Sequence, residues 1–223
     1  MSSGKNISRL LGVAFLTVLL LTFSEFWALS IIGTGSVSDS LVSISNNLMP
    51  LRLSILLGLT LSAGIIVLAV LLFMVLQKQH KTMALVALSC YLLESVTLVL
   101  RQLSVYALIP LSLEYTKADT LDLSHLQTLG TVFLDIGRWV YDIHLLFFAL
   151  GGILWYTLFY RTRYIPRFLA IWGIVAVALV LVASVLAGFE IRPIALVLPN
   201  ALFELAIGLW IVIKGSKSYA RVY

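Results

Sequence analysis

Nine ionisable side chains stand inside or at the rims of long apolar runs: Glu25, Arg52, Glu94, Arg101, Asp135, Arg138, Asp142, His144 and Glu204. A charge that faces hydrocarbon costs at least a few kcal/mol, so such groups normally turn to a protein interior, pair with one another or line a wet cavity. Five carboxylates against three arginines leave the set net negative, which suits a cationic ligand unless one or two of the carboxylates stay protonated. At about 100° per residue, Asp135, Arg138 and Asp142 fall within about a 60° arc of one helix, extended by Thr128 and Thr131. Glu94 and Arg101 share a face of another helix. His144 lies nearly opposite Asp135, so it serves a different neighbour.

Counting 1.5 Å per residue from the basic ends of the helices puts Glu204 at roughly 15 Å, Glu94 at roughly 18 Å and Glu25 at roughly 22 Å. His144 falls at roughly 24 Å, and Asp142 and Arg101 at roughly 27 Å. These depths predict a polar funnel in the middle and outer half of a membrane, holding a small molecule, lipid headgroup or ion. The same groups could instead be inert clamps between helices, which would make the chain a structural subunit of a larger complex. A third reading is an intramembrane hydrolase or transferase acting on lipids, with Asp135, Asp142 or Glu94 as base or metal ligand and His144 as acid or base. No Gly-x-Ser-x-Gly turn and no His-Glu-x-x-His accompanies them. With one histidine at this depth and a single cysteine, Cys90, no metal site is expected, and no cofactor is specified.

The elements that must position these groups are six apolar segments, Leu10 to Ile32, Leu51 to Leu76, Thr82 to Leu103, Val132 to Tyr160, Arg167 to Leu186 and Pro193 to Ile213. Each is long enough to cross a bilayer. Helical character in the fourth is expected from Leu123, so its first turns project outward. Lys5, Arg9, Lys78, Lys81, Arg161, Arg163, Arg167, Lys214, Lys217 and Arg221 fall on one side of these segments, and Asp39, Glu114, Asp119, Asp122 and Glu190 on the other. The positive-inside rule then places both termini in the cytoplasm, and the protein is expected in the cell inner (plasma) membrane. The short turns at Gln77 to Lys81 and Arg161 to Pro166 predict an all-α, up-and-down bundle of six helices forming one domain over residues 1–223. The long connections, Gly33 to Pro50 and Ser104 to about Gln127, must supply any outer cap. The first segment is too long for a signal-peptide core and reads as a retained helix.

Of 223 residues 61% are hydrophobic and 11% charged, too little polar surface to solvate a globule. The net charge of +5 sits in short loops, where topology and anionic headgroups account for it, so nucleic acid is not an expected partner. Membrane lipids are, and a homo-oligomer or larger complex is compatible with the pattern. Ser54, Gly58 and Ser62 form a small-residue stripe suited to close helix packing. Trp27, Trp139, Trp155, Tyr156, Tyr160 and Trp210 lie near segment ends and read as an interfacial aromatic belt.

Several strings resemble a bacterial membrane family known as domain of unknown function 4386. The turn from Arg161 to Leu169, with Ile165-Pro166-Arg167 entering the fifth segment, is similar to that family's basic turn. Leu51-Arg52-Leu53, the run Phe147 to Gly151, and Pro199 with Glu204, Leu209-Trp210 and Lys214-Gly215 resemble other parts of it, as does the acidic Glu25. Tyr91 stands where the family pattern prefers an arginine, and Arg101, two turns along, is the expected substitute beside Glu94. The resemblance implies a six-helix membrane protein and no particular activity.

Overall fold

The computed structural model describes residues 2–33, 35–119 and 122–222, with residues 2–5, 194 and 215–222 in backbone alone. The side chains of Lys5, Lys217 and Arg221, three of the cations expected on the cytoplasmic side, therefore lie outside the described residues. The described residues form seven α-helices: α1 Ser2–Leu29, α2 Val37–Asn46, α3 Leu48–Leu76, α4 Lys81–Tyr115, α5 Leu123–Thr162, α6 Arg167–Ala187 and α7 Leu198–Val222. Short 3-10 turns follow α1 at Ser30–Ile32 and precede α7 at Ile194–Leu196. No strand occurs among the described residues.

Five helices among the described residues are long and apolar enough to cross a membrane: Asn6–Ile32, Leu48–Leu76, Lys81–Tyr115, Leu123–Thr162 and Arg167–Ala187. Their outer faces carry large apolar side chains, among them Phe26, Trp27, Leu56, Phe168 and Val185, which in water would be a severe liability and in lipid are the required surface.

Two elements differ from the segment boundaries read in the sequence. The first long connection contains α2, ten residues long, because Ser36 and Asp39 form a reciprocal capping box and Leu41 and Ile44 bury one face of it. The second is largely helix, since α4 runs on to Tyr115 instead of ending near Leu103. Pro110 lies inside α4, on its exposed side, while Leu108, Ile109 and Leu111 are buried. Their packing outweighs the one hydrogen bond that proline cannot make.

The chain divides into two compact units. Unit 1 comprises residues 1–20, 63–95 and 142–223, and unit 2 residues 21–62 and 96–141. In unit 1 the backbones of α1 and α7 come close at Gly12, where an added β-carbon would lie 2.6 Å from the Val212 nitrogen. Only a residue without a side chain fits there. Trp155 and Tyr156 are fully buried in this unit, Trp155 against Tyr91 and Tyr156 against Phe203. They are core residues and not part of an interfacial belt, whereas Trp27 and Trp139 are exposed as a belt requires.

Unit 2 is organised around Leu29, Leu41, Ile44, Leu51, Val105, Leu108, Ile109, Leu111 and Leu134, so α2 packs with the ends of α1, α4 and α5 into one apolar cluster. Polar links close it. Ser43 donates to the Ile31 carbonyl at 2.7 Å, and the Gln127 amide donates to Ser38 at 3.0 Å and to Tyr115 at 2.9 Å. The long connections thus form a folded cap within unit 2.

Asp39 accepts from the Ser36 hydroxyl at 2.6 Å and the Ser36 N–H at 3.1 Å, and these bonds hold its carboxyl below the ordinary aspartate range. Because the folded-state value is the lower one, the box steadies α2 fully above the ordinary value, and that contribution fades as pH falls through the depressed one. Ser36→Ala is expected to raise the Asp39 midpoint toward 3.8 in a carbon-13 NMR titration; an unmoved midpoint would assign the depression to something other than the Ser36 hydroxyl.

Candidate functional site

Five of the nine candidate residues, Glu25, Arg52, Arg101, Asp135 and Arg138, belong to unit 2, and four, Glu94, Asp142, His144 and Glu204, to unit 1. Their chemistry divides in the same way.

In unit 2, α1 turns Glu25 inward until its side chain is only 4% exposed. One carboxylate oxygen accepts from the Arg101 guanidinium at 3.1 Å and from the Gln102 amide at 2.8 Å. Both donors come from α4. The backbone of α3 closes the third side, since a β-carbon at Gly58 would lie 2.1 Å from the Gln102 nitrogen and 2.8 Å from the Glu25 oxygen. The stripe of Ser54, Gly58 and Ser62 is buried, as close packing demands, and Gly58 also makes room for this carboxylate and amide. Arg101 further stacks over the Tyr141 ring, 4.7 Å from its centroid. Arg101 is thus committed to Glu25 and does not act as the basic substitute beside Glu94. A carboxylate held by a permanently charged guanidinium and an amide is an anchor for α1, α3 and α4 more than a base.

The other unit 2 charges are superficial. Asp135 and Arg138 pair at 2.8 Å one helical turn apart, with side chains 53% and 58% exposed. Arg52 is exposed at the start of α3 and pairs with no carboxylate among the described residues.

In unit 1, Asp142 leaves the arc it shares with Asp135 and Arg138 by pairing with Arg192 at 2.9 Å. Ser184 of α6 donates to the Asp142 carbonyl at 2.8 Å. Arg192 was not among the residues singled out in the sequence. Its signal was available, because Arg192 is a basic residue beside Glu190 in a connection on the otherwise acidic side.

Glu94, on α4, is buried, and the His144 ring of α5 sits beside it, with Nδ1 4.0 Å from the carboxylate and 3.5 Å from the Glu94 carbonyl oxygen. This is the different neighbour expected of His144. Glu204, on α7, accepts from the Asn200 amide at 3.1 Å and interacts electrostatically with Glu94. Tyr91 and Tyr156 lie in the same electrostatic neighbourhood as both carboxyls. Tyr91 and Tyr156 were read from sequence as a family variation and a belt residue, and helix phase alone could not show that they face this cluster. The result is a group of two carboxyls, two phenols and an imidazole drawn from α4, α5 and α7. Three further buried polar atoms of the unit, Trp155 Nε1, Asn200 Oδ1 and Trp210 Nε1, have no hydrogen-bond partner among the described residues, which is where buried water or a small ligand is ordinarily found. Among the described residues no three His, Cys, Asp or Glu side chains gather as a metal ion would require.

An all-helical chain with five helices able to cross a bilayer, apolar outer faces and buried, mutually engaged ionisable groups is a membrane protein. It belongs to the family described as Domain of unknown function (DUF4386), whose pattern matches residues 10–215, the family resembled by the Arg161 to Leu169 turn. No curated protein and no solved structure matches the chain.

The Glu25 anchor makes a direct thermodynamic prediction. Arg101→Met should destabilise the protein by about 3 kcal/mol or more, by leaving a buried carboxylate without its cation. Adding Glu25→Met should restore much of that loss. Thermal unfolding in detergent measures both, and a double variant no better than Arg101→Met would refute the anchor.

Proposed function

We propose that the chain is a six-span protein of the inner membrane, with α7 as the sixth span and both termini cytoplasmic, that binds a small cation in the polar interior of unit 1. The observation that carries this reading is the convergence of Glu94, Glu204, Tyr91, Tyr156 and His144 from three helices. Oxygen atoms of two carboxyls and two phenols are hard donors, and the imidazole beside them can donate or accept a hydrogen bond. Such a group accommodates a proton, an alkali ion or ammonium, and the spare hydrogen-bonding capacity of Trp155 and Asn200 suits accompanying water. Binding without turnover is the reading we favour over lipid hydrolysis, since the sequence carries no Gly-x-Ser-x-Gly turn and no His-Glu-x-x-His.

A second reading draws on the three arginine and carboxylate pairs, Arg101 with Glu25, Arg138 with Asp135 and Arg192 with Asp142. These are the contacts of a structural subunit, and they are compatible with the first reading because none of them involves Glu94 or Glu204.

Infrared difference spectra of the purified protein, recorded on changing pH and on adding sodium, potassium or ammonium, are the test. A carboxyl band that responds to one of these and disappears in Glu204→Gln or Glu94→Gln is expected. Spectra in which neither variant removes a responsive band would leave the structural reading alone.

A further inference from the structure

One end of unit 1 gathers Arg9 at the start of α1, Lys78 and Lys81 in the turn from α3 to α4, Arg161, Arg163 and Arg167 in the turn from α5 to α6, and Lys214 on α7. All seven are exposed. The acidic residues of the unit, Glu94, Asp142, Glu190 and Glu204, lie in the interior or toward the opposite ends of their helices. Arg9, Lys81, Arg161, Arg163, Arg167 and Lys214 pair with no carboxylate among the described residues.

Setting the orientation of a membrane protein requires positive charge alone, for which lysine serves as well as arginine. The turn from α5 to α6 does more than that. It places three arginines within seven residues. Arg163 adopts a left-handed backbone, φ 54°, and the buried Tyr164 and Ile165 that follow hold it there. Tyr164 hydrogen-bonds Ser8 of α1, which brings the adjacent Arg9 to the same surface. Arg167 is steadied over the Tyr160 ring at 5.3 Å, and Lys214 over Trp210 at 4.6 Å. Guanidinium forks match a phosphodiester in a bidentate manner that ammonium groups do not.

We propose that this surface, with Arg161, Arg163, Arg167 and Arg9 at its centre, is a binding site for the headgroups of anionic phospholipids. Charge complementarity selects the occupant: exposed basic side chains lie at the end of apolar helices, where a bilayer presents phosphates. Aromatic rings at the same level, Tyr160 and Trp210, suit the headgroup region. The site is independent of the acidic cluster, shares no residue with it and stands whether or not that cluster binds a cation.

Native mass spectrometry of the whole protein in detergent, with phosphatidylglycerol or phosphatidylcholine added at equal concentration, tests the proposal. Phosphatidylglycerol adducts should predominate, and an Arg161→Gln, Arg163→Gln, Arg167→Gln variant should lose them by about tenfold or more. The charge-preserving variant Arg161→Lys, Arg163→Lys, Arg167→Lys keeps the topology signal and the fold, and it too should retain less lipid than the parent. Equal retention by the lysine variant would overturn the proposal, showing that charge alone acts. Equal adducts with both lipids, or displacement of phosphatidylglycerol by millimolar inorganic phosphate, would also overturn it, the latter by pointing to a free anion.

Discussion

An ionised side chain within hydrocarbon has no water to solvate it, so each acid and base on these helices must meet a partner on another turn or another helix. That requirement ties distant parts of the chain together. Glu25 on α1 is joined to Arg101 and Gln102 on α4, Glu94 on α4 to His144 on α5, and Asp142 on α5 to Arg192 beyond α6. Apolar packing alone could not set these registers, because a leucine gains little by exchanging a lipid tail for another leucine. Close approaches add the remaining specificity. Gly12 lets α1 meet α7, and Gly58 lets α3 meet the amide and carboxylate between α1 and α4.

The two units use their charges differently. In unit 2 the buried carboxylate faces a guanidinium, which stays protonated under all ordinary conditions, so the arrangement has one charge state and one geometry. In unit 1 Asp142 also meets a guanidinium, that of Arg192, but the carboxyls of Glu94 and Glu204 stand among phenols, an imidazole and a primary amide, groups that donate or accept according to their surroundings. The first kind of centre holds a structure, and the second can respond to an occupant. The fold therefore separates rigidity from responsiveness by the choice of partner for each acid.

Much of this was legible from residue type and spacing. Length and apolarity gave the helices, the small residues at 54, 58 and 62 gave a packing face, and the opposite phases of Asp135 and His144 on α5 gave His144 a partner of its own. What escaped depends on tertiary packing. Helix α2 hides in a polar stretch because only Leu41 and Ile44 need be buried, and α4 passes through Pro110 because neighbours on the buried side hold it. Arg192 was passed over as a loop residue, yet it is the cation that answers Asp142. Trp155 and Tyr156 resembled a belt, since position near a helix end says nothing about which way a ring faces.

Tyr91 shows how one residue can set the character of the acidic cluster. Its ring stacks near Phe148 at 6.1 Å and its edge meets Gly151, where a β-carbon would lie 2.6 Å away, so α4 and α5 are in intimate contact at this level. A guanidinium there would bring a permanent positive charge into the neighbourhood of Glu94 and Glu204, much as Arg101 does for Glu25. A phenol brings a neutral hydroxyl instead, one that hydrogen-bonds in either sense and leaves the balance of charge to whatever else enters. On the proposed reading, Tyr91 keeps this centre unlike the anchored one in unit 2 and open to a cation.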